Sequence, residues 1–152
     1  VKTALTMNKV KGNIKINIVD LPGFGPTKKD ATDDLESRLM INKICYNLKK
    51  PLIVGAAIRY EGHVLKLNNT KDNNSCLNCL YSSSDENLEN CEGNGIMSPV
   101  AGMIGSMMAN ECIKTLIGIN NNKENTISIF DLKNNIYQKI NIPKNMKCSV
   151  CS

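Results

Sequence analysis

Apolar residues recur along this chain in two rhythms, every second position in some stretches and every third or fourth in others. Ile14, Ile16 and Ile18 alternate with polar residues between Lys11 and Leu21, the pattern of a half-buried strand, and Pro22-Gly23-Phe24-Gly25-Pro26 then breaks any regular element. From Asp33 the rhythm changes. Asp33 is placed to cap a helix with Glu36 reaching back to it, and Leu35, Leu39, Ile44 and Leu48 approximate helical spacing, which predicts a helix from about Asp34 to Leu48. Pro51 to Ile58 is continuously apolar and bounded by turn residues, as expected of a strand buried on both faces. Glu61 to Asn68 sets Val64 and Leu65 beside His63 and Lys66 and reads as a more exposed strand.

The stretch from Asn68 to Asn94 is polar and rich in Asn and Ser, and reads as a long mobile loop interrupted only by Cys76-Leu77-Asn78-Cys79. A second helix follows, with Ser98 as its cap, Pro99 in first position and Gly118 as its stop. Val100, Met103, Ile104, Met107, Met108, Ile113, Leu116 and Ile117 form its predicted apolar stripe. Methionine at helical spacing is read as core filler rather than as a copper site. Thr126–Phe130 and Ile136–Ile142 flank Lys133-Asn134-Asn135 as a hairpin with a tight turn. No internal repeat or heptad is evident.

With 152 residues, 41% hydrophobic and 22% charged, the chain has the size and mix of one folded domain or part of one. It holds no run of 18 apolar residues and opens without a basic and then apolar leader, which argues against membrane and secreted readings and for a cytoplasmic one. The first residue is Val, so the chain is expected to begin within a longer protein. The net charge of +5 is scattered and carried almost wholly by Lys; with no Trp, two Phe and four Tyr, little is available to stack on bases, which argues against nucleic-acid binding.

Seven cysteines change the picture. Cys76 with Cys79 and Cys148 with Cys151 repeat one C-x-x-C spacing, and two such knuckles supply four thiolates to one tetrahedral zinc, curling round it so that backbone N–H groups face the sulfurs. A disulfide framework is disfavoured by the chain's size, the missing leader and the odd thiol. A thioredoxin-like site is disfavoured because neither pair opens a helix after a strand. Cys45 and Cys112 lie on predicted helices among apolar residues and read as buried small hydrophobes, and His63, on a strand, reads as structural.

These pieces, in this order, resemble the carboxyl-terminal half of the MoeB/ThiF family, the ubiquitin-activating-type adenylating enzymes of sulfur-carrier proteins. The residues that carry the resemblance are Asp30-Ala31-Thr32-Asp33-Asp34 with Arg38 and Asn42 behind it, then Lys50-Pro51-Leu52-Ile53-Val54-Gly55-Ala56-Ala57-Ile58-Arg59-Tyr60-Glu61-Gly62. The first knuckle follows, then Cys91 ahead of Gly95-Ile96-Met97-Ser98-Pro99-Val100-Ala101-Gly102, Glu111-Cys112-Ile113-Lys114, Phe130-Asp131 and the second knuckle. The resemblance implies an α/β fold, the second half of a Rossmann-like domain with a mixed sheet containing antiparallel strands, two main helices and a four-cysteine zinc clasp. It assigns 30–152 to that domain and leaves 1–29 as an irregular amino-terminal segment.

It also implies an ATP-dependent enzyme that adenylates the carboxyl-terminal glycine of a ubiquitin-like carrier with a Gly-Gly tail, of the molybdopterin synthase, thiamine or tRNA-thiolation type, and that forms a homodimer. By the same resemblance Asp33 holds magnesium and ATP, Arg38 supports the phosphates or the carrier's tail, and Cys91 bonds covalently to the carrier. Glu86, Glu89 and Glu92 flank Cys91 and would raise its thiol pKa, so a nucleophile there needs a cation from elsewhere. Asp34 stands where the family has Asn, and no G-x-G-x-x-G occurs, so this chain is expected to be incomplete and inactive by itself. The rival readings are a non-catalytic zinc-clasped module that binds a ubiquitin-like protein, and a related dehydratase acting on a tRNA base.

Overall fold

A computed structural model describes residues 3–10, 13–19, 35–70, 74–81, 95–119 and 125–152. The strands are β1 (Thr3–Val10), β2 (Asn13–Val19), β3 (Leu52–Ile58), β4 (Glu61–Leu67), β5 (Thr126–Asp131) and β6 (Ile136–Asn141). The helices are α1 (Leu35–Asn47), α2 (Leu77–Leu80) and α3 (Ser98–Ile117). Six strands form one sheet in the order β2-β1-β3-β4-β5-β6. Where the sequence predicts a single strand before residue 22, the backbone forms an antiparallel pair, Ala4 opposite Val19 through Val10 opposite Asn13, and β1 pairs in turn with β3.

The expectation of a mixed sheet is corrected, because every ladder among the described strands is antiparallel. Among the described residues, parallel pairing is limited to the isolated bridge between Arg59 and Ile96. The physical reason lies in the connections. β3 and β4 are joined through Arg59 and Tyr60, with Arg59 at φ 50°, and β5 and β6 through a turn whose Asn135 has φ 55°. Asp131 Oδ1 accepts from the backbone N–H of Lys133 and of Asn134, which fixes that second turn. After β4 the chain reaches the Arg59 end, where Arg59 N–H donates to the Gly95 carbonyl and Met97 N–H to the Arg59 carbonyl. The 20-residue α3 then carries it back, so β5 starts beside Lys66 and runs against β4.

The central strands β3 and β4 are covered on both faces. Ile53, Ala57, Val64 and Phe130 meet Val100, Ile104, Met108 and Cys112 of α3 in one core, and Leu52, Val54, Leu65 and Leu67 meet Cys45 of α1, Leu77 of α2 and Ile142 in the other. β3 is thus buried on both sides, as its unbroken apolar run predicts. β4 is more buried than its alternation suggests, because it lies between β3 and β5 beneath α3. The stripe of α3 is narrower than predicted. Val100, Ile104, Met108 and Cys112, four residues apart, face the sheet, whereas Ile113 and Ile117 lie a further residue round the helix and are 55% and 59% exposed. Ile44 of α1 and Leu48 just past its end are likewise exposed, and polar Asn42 takes a fully buried place on that helix. Ser98 is the first helical residue and Met97 the cap, while Gly118 ends the helix in the left-handed region as expected. Of the methionines read as core filler, Met108 is buried, but Met97 and Met146 are exposed.

Candidate metal centre

Both knuckles come to one place. Cys76 caps α2 and Cys79 lies within it, and the turns after Asn145 bring Cys148 and Cys151 against them from 72 positions along the chain. The sulfurs of Cys76 and Cys148 are 3.6 Å apart, those of Cys79 and Cys151 are 3.2 Å apart, and all four lie within 4.8 Å of one another. A disulfide requires about 2.05 Å, so none is formed. One ion bound by four thiolates at about 2.3 Å needs sulfurs about 3.8 Å apart in a tetrahedron. The cluster fits a single tetrahedral metal ion and is compatible with a structural zinc.

Local backbone supports that donor set. The N–H of Cys76 donates to Cys79 Sγ at 3.4 Å and the N–H of Asn145 donates to the same sulfur at 3.5 Å, the orientation that stabilises thiolates in a knuckle. Cys76, Cys148 and Cys151 are buried, Cys79 is the partly open member, and Tyr46 of α1 closes one side. Burial pushes the Cys76 thiol up to about 11, and it likewise raises Cys151, with hydrogen bonds from Cys79, Cys148 and Cys76 adding to the effect. Burial acts upward on Cys148 too, but the backbone N–H groups of Val150 and Cys151, with the Cys151 and Cys76 thiols, outweigh it and bring that thiol down to about 7. Four adjacent thiolates need a cation to ionise together.

Two asparagines that sequence pattern did not single out for this role hold the cluster in place. Asn42, fully buried, accepts from the Leu77 N–H at 3.1 Å and donates to Asn78 Oδ1 at 2.8 Å, tying α1 to the first knuckle. Asn125 Oδ1 accepts from the Asn68 N–H at 2.6 Å, its amide donates to the Ser75 carbonyl, and its own carbonyl accepts from the Ile142 N–H at 2.8 Å. One side chain and its backbone thus join the end of β4, the entry to the first knuckle and the exit from β6. The sequence hint was weak: Asn42 sits where the helical pattern calls for an apolar residue, and Asn125 lies in an Asn-rich stretch that conceals it.

Arg38 lies on α1, half-buried, near Tyr81; burial raises the Tyr81 phenol and the Arg38 guanidinium partly offsets that rise. Asp33 and Cys91 fall outside the described residues, as does most of the polar stretch read as a mobile loop. Cys45 and Cys112 are buried in the two cores, apart from the cluster, and burial raises both thiols, Cys112 to about 11. His63 is half-buried within β4, opposite Ala56 and Ile129. No helix of the described residues is long and apolar enough to cross a membrane.

The family model for the ThiF family matches residues 29–150, and the chain belongs to that family. Among its relatives are the molybdopterin-synthase adenylyltransferases of Salmonella typhimurium, 36% identical over 122 residues, and of Escherichia coli, 34% identical over the same length. Each of these alignments covers 80% of this chain and 49% of the relative. An adenylyltransferase and sulfurtransferase MOCS3 of Aedes aegypti is 32% identical over 126 residues, covering 81% of this chain and 28% of that protein. The chain therefore spans about half the length of the bacterial relatives it matches.

Proposed function

We propose that this chain is the carboxyl-terminal part of an ATP-dependent adenylyltransferase that activates the terminal glycine of a ubiquitin-like sulfur carrier. The observation that supports this reading most directly is the convergence of the two knuckles into one four-thiol cluster, in a chain of the ThiF family whose relatives are named adenylyltransferases. In this reading the fold is the second half of a Rossmann-like domain extending over 30–152, in the cytoplasm, as a homodimer, with zinc held by Cys76, Cys79, Cys148 and Cys151. Zinc with four protein ligands has no open position, so its part is structural: it clasps the end of the chain to the turn after β4.

In the reaction, a carboxylate oxygen of the carrier's terminal glycine attacks the α-phosphorus of ATP, the bond to the β-phosphate breaks, and pyrophosphate leaves with the electron pair. The carboxylate of Asp33 suits a magnesium ion that offsets charge on the phosphates. Arg38 contributes a fixed positive charge to the phosphates or to the carrier's tail. The thiolate of Cys91 then attacks the activated carbonyl and forms a thioester as the acyl–phosphate bond breaks and AMP leaves with the electron pair. These 152 residues contain no glycine-rich phosphate loop, so the exchange reaction requires one from another segment.

ATP–pyrophosphate exchange with a Gly-Gly-ended carrier tests the reading. The chain by itself is expected to bind the carrier and to give no exchange. A polypeptide that joins these residues to a glycine-rich nucleotide loop is expected to exchange, and Asp33→Ala to lower its rate by about a hundredfold or more. Exchange by the chain alone would overturn the claim of inactivity. Carrier binding unaffected by Asp33→Ala and Cys91→Ser, with no exchange in the longer polypeptide, would replace this reading with a non-catalytic binding module.

A further inference from the structure

A groove on the sheet face occupied by α3 lies away from the cysteine cluster. α3 covers β3 and β4 but leaves β5 and β6 uncovered at its carboxyl-terminal half, and the step between helix and sheet encloses a cavity of about 140 Å³. Its floor is set by register. Val64, Ser128 and Lys139 stand opposite one another across β4, β5 and β6, and Lys66 and Thr126 form the adjacent row on the same face. The wall is the last turns of α3, where Glu111 accepts a hydrogen bond from Lys114 and lies 3.8 Å from Lys66 Nζ.

Lys66 and Lys114 both approach Glu111, whereas Lys139 has no ion-pair partner among the described residues. The lysines beside Glu111 are not freely solvated: the side chains of Lys66 on β4 and Lys114 on α3 are only 12% and 24% exposed. Thr126 is buried, and neither its hydroxyl nor that of Ser128 makes a hydrogen bond among the described residues. A cation without an ion-pair partner, beside unspent hydroxyl donors in a concave site, is the chemistry that selects a small oxyanion over chloride. Directional O–H donors match several oxygens at once, and cations in a low-dielectric recess act more strongly than on open surface.

We propose that the groove between α3 and the β5–β6 strands binds a tetrahedral oxyanion, with Lys139 as its principal cation and Ser128 and Thr126 as hydroxyl donors. Neither the zinc clasp nor the adenylation reading uses these residues, so the site stands or falls independently of both. Glu111 acts in opposition to it: by holding Lys66 and Lys114 it limits the charge available to a ligand.

Sulfate is the probe, because it stays doubly charged across neutral pH. The whole chain, labelled with ¹⁵N, is titrated with sulfate, with acetate and with chloride at matched ionic strength, and amide shifts are followed. Saturable shifts centred on residues 126–128 and 138–139 are expected with sulfate and not with chloride. Lys139→Gln, an exposed position where folding is not at stake, is expected to weaken sulfate binding by about tenfold or more. Glu111→Gln is expected to strengthen it severalfold, a sign that a merely structural role would not produce. Equal responses to sulfate and chloride, or a sulfate response unchanged in Lys139→Gln, would overturn the proposal. A stronger response to acetate than to sulfate would overturn the tetrahedral class.

Discussion

Six of the seven cysteines are described, and their surroundings divide them into two chemistries. Cys45 and Cys112 each sit in one of the two hydrophobic cores, where nothing stabilises a thiolate and burial raises the thiol. Cys112, at about 11 against an ordinary 9.0, offers about a hundredfold less thiolate at neutral pH than a free cysteine. In the native chain at pH 7.4, iodoacetamide is therefore expected to spare Cys45 and Cys112, and to label both once urea unfolds the chain. Peptide mass mapping reads the result, and rapid native labelling of Cys112 would contradict its place beneath α3. This division was legible in the sequence because it rests on local pattern. Paired C-x-x-C spacing announces a metal site, and isolated cysteines at apolar helical positions announce core. The roles of Asn42 and Asn125 were not legible. An asparagine's value there lies in which backbone groups arrive beside it, and those come from segments far away in the chain.

At the scale of elements, the packing of α3 on β3 and β4 depends on two glycines that strand patterning alone treats as weak points. A Cβ on Gly55 would lie 2.2 Å from Met108 Sδ and 3.0 Å from Ile104 Cγ2, and one on Gly62 would lie 2.5 Å from Ile104 Cγ1 and 3.1 Å from the Ala56 carbonyl oxygen. The helix sits directly on bare backbone. Gly62→Ala is expected to cost about 1–3 kcal/mol through overpacking. Gly102→Ala, on the exposed side of the same helix with nothing within 4 Å of its Cβ, is expected to stabilise by about 0.5–1 kcal/mol. Urea midpoints of the two variants should move in opposite directions, and two shifts of the same sign would refute this account of the helix seat. The existence of α1, α3 and the strands from β3 to β6 could be read from periodicity because each exceeds a turn or two of consistent pattern. Which side of α3 faces the sheet was read too broadly. An apolar helix offers several stripes, and only the close approach at Gly55 and Gly62 selects the one through Val100, Ile104, Met108 and Cys112. The mixed sheet was an inference from the family as a whole, and direction within this part is decided by its tight turns and by the return path of α3.

Between the two knuckles lie α3, β5 and β6, so closing the cluster turns one side of the whole molecule into a loop. Its ends, Cys76 and Cys148, are 72 positions apart. Cross-linking a loop of that length removes chain entropy from the unfolded state worth about 4 kcal/mol, provided the link holds. A metal ion supplies such a link only when bound, so its affinity for the folded chain becomes folding free energy. Native mass spectrometry is expected to find one zinc per chain and none in Cys148→Ser. Removing the ion with a chelator should lower the melting temperature by about 8–16 °C, given about 2–4 °C per kcal/mol for a chain of this size. The sign of the pH effect follows from the thiols. Burial raises the Cys76 and Cys151 thiols, and the protons held in the cluster must leave when the ion enters, so zinc affinity should rise from pH 6 to pH 8 and fall again on acidification. A chain that is metal-free yet melts at the same temperature with and without added zinc would show that the hydrogen bonds of Asn42 and Asn125 hold the knuckles together unaided. The clasp would then be an inherited arrangement without a structural role in this chain.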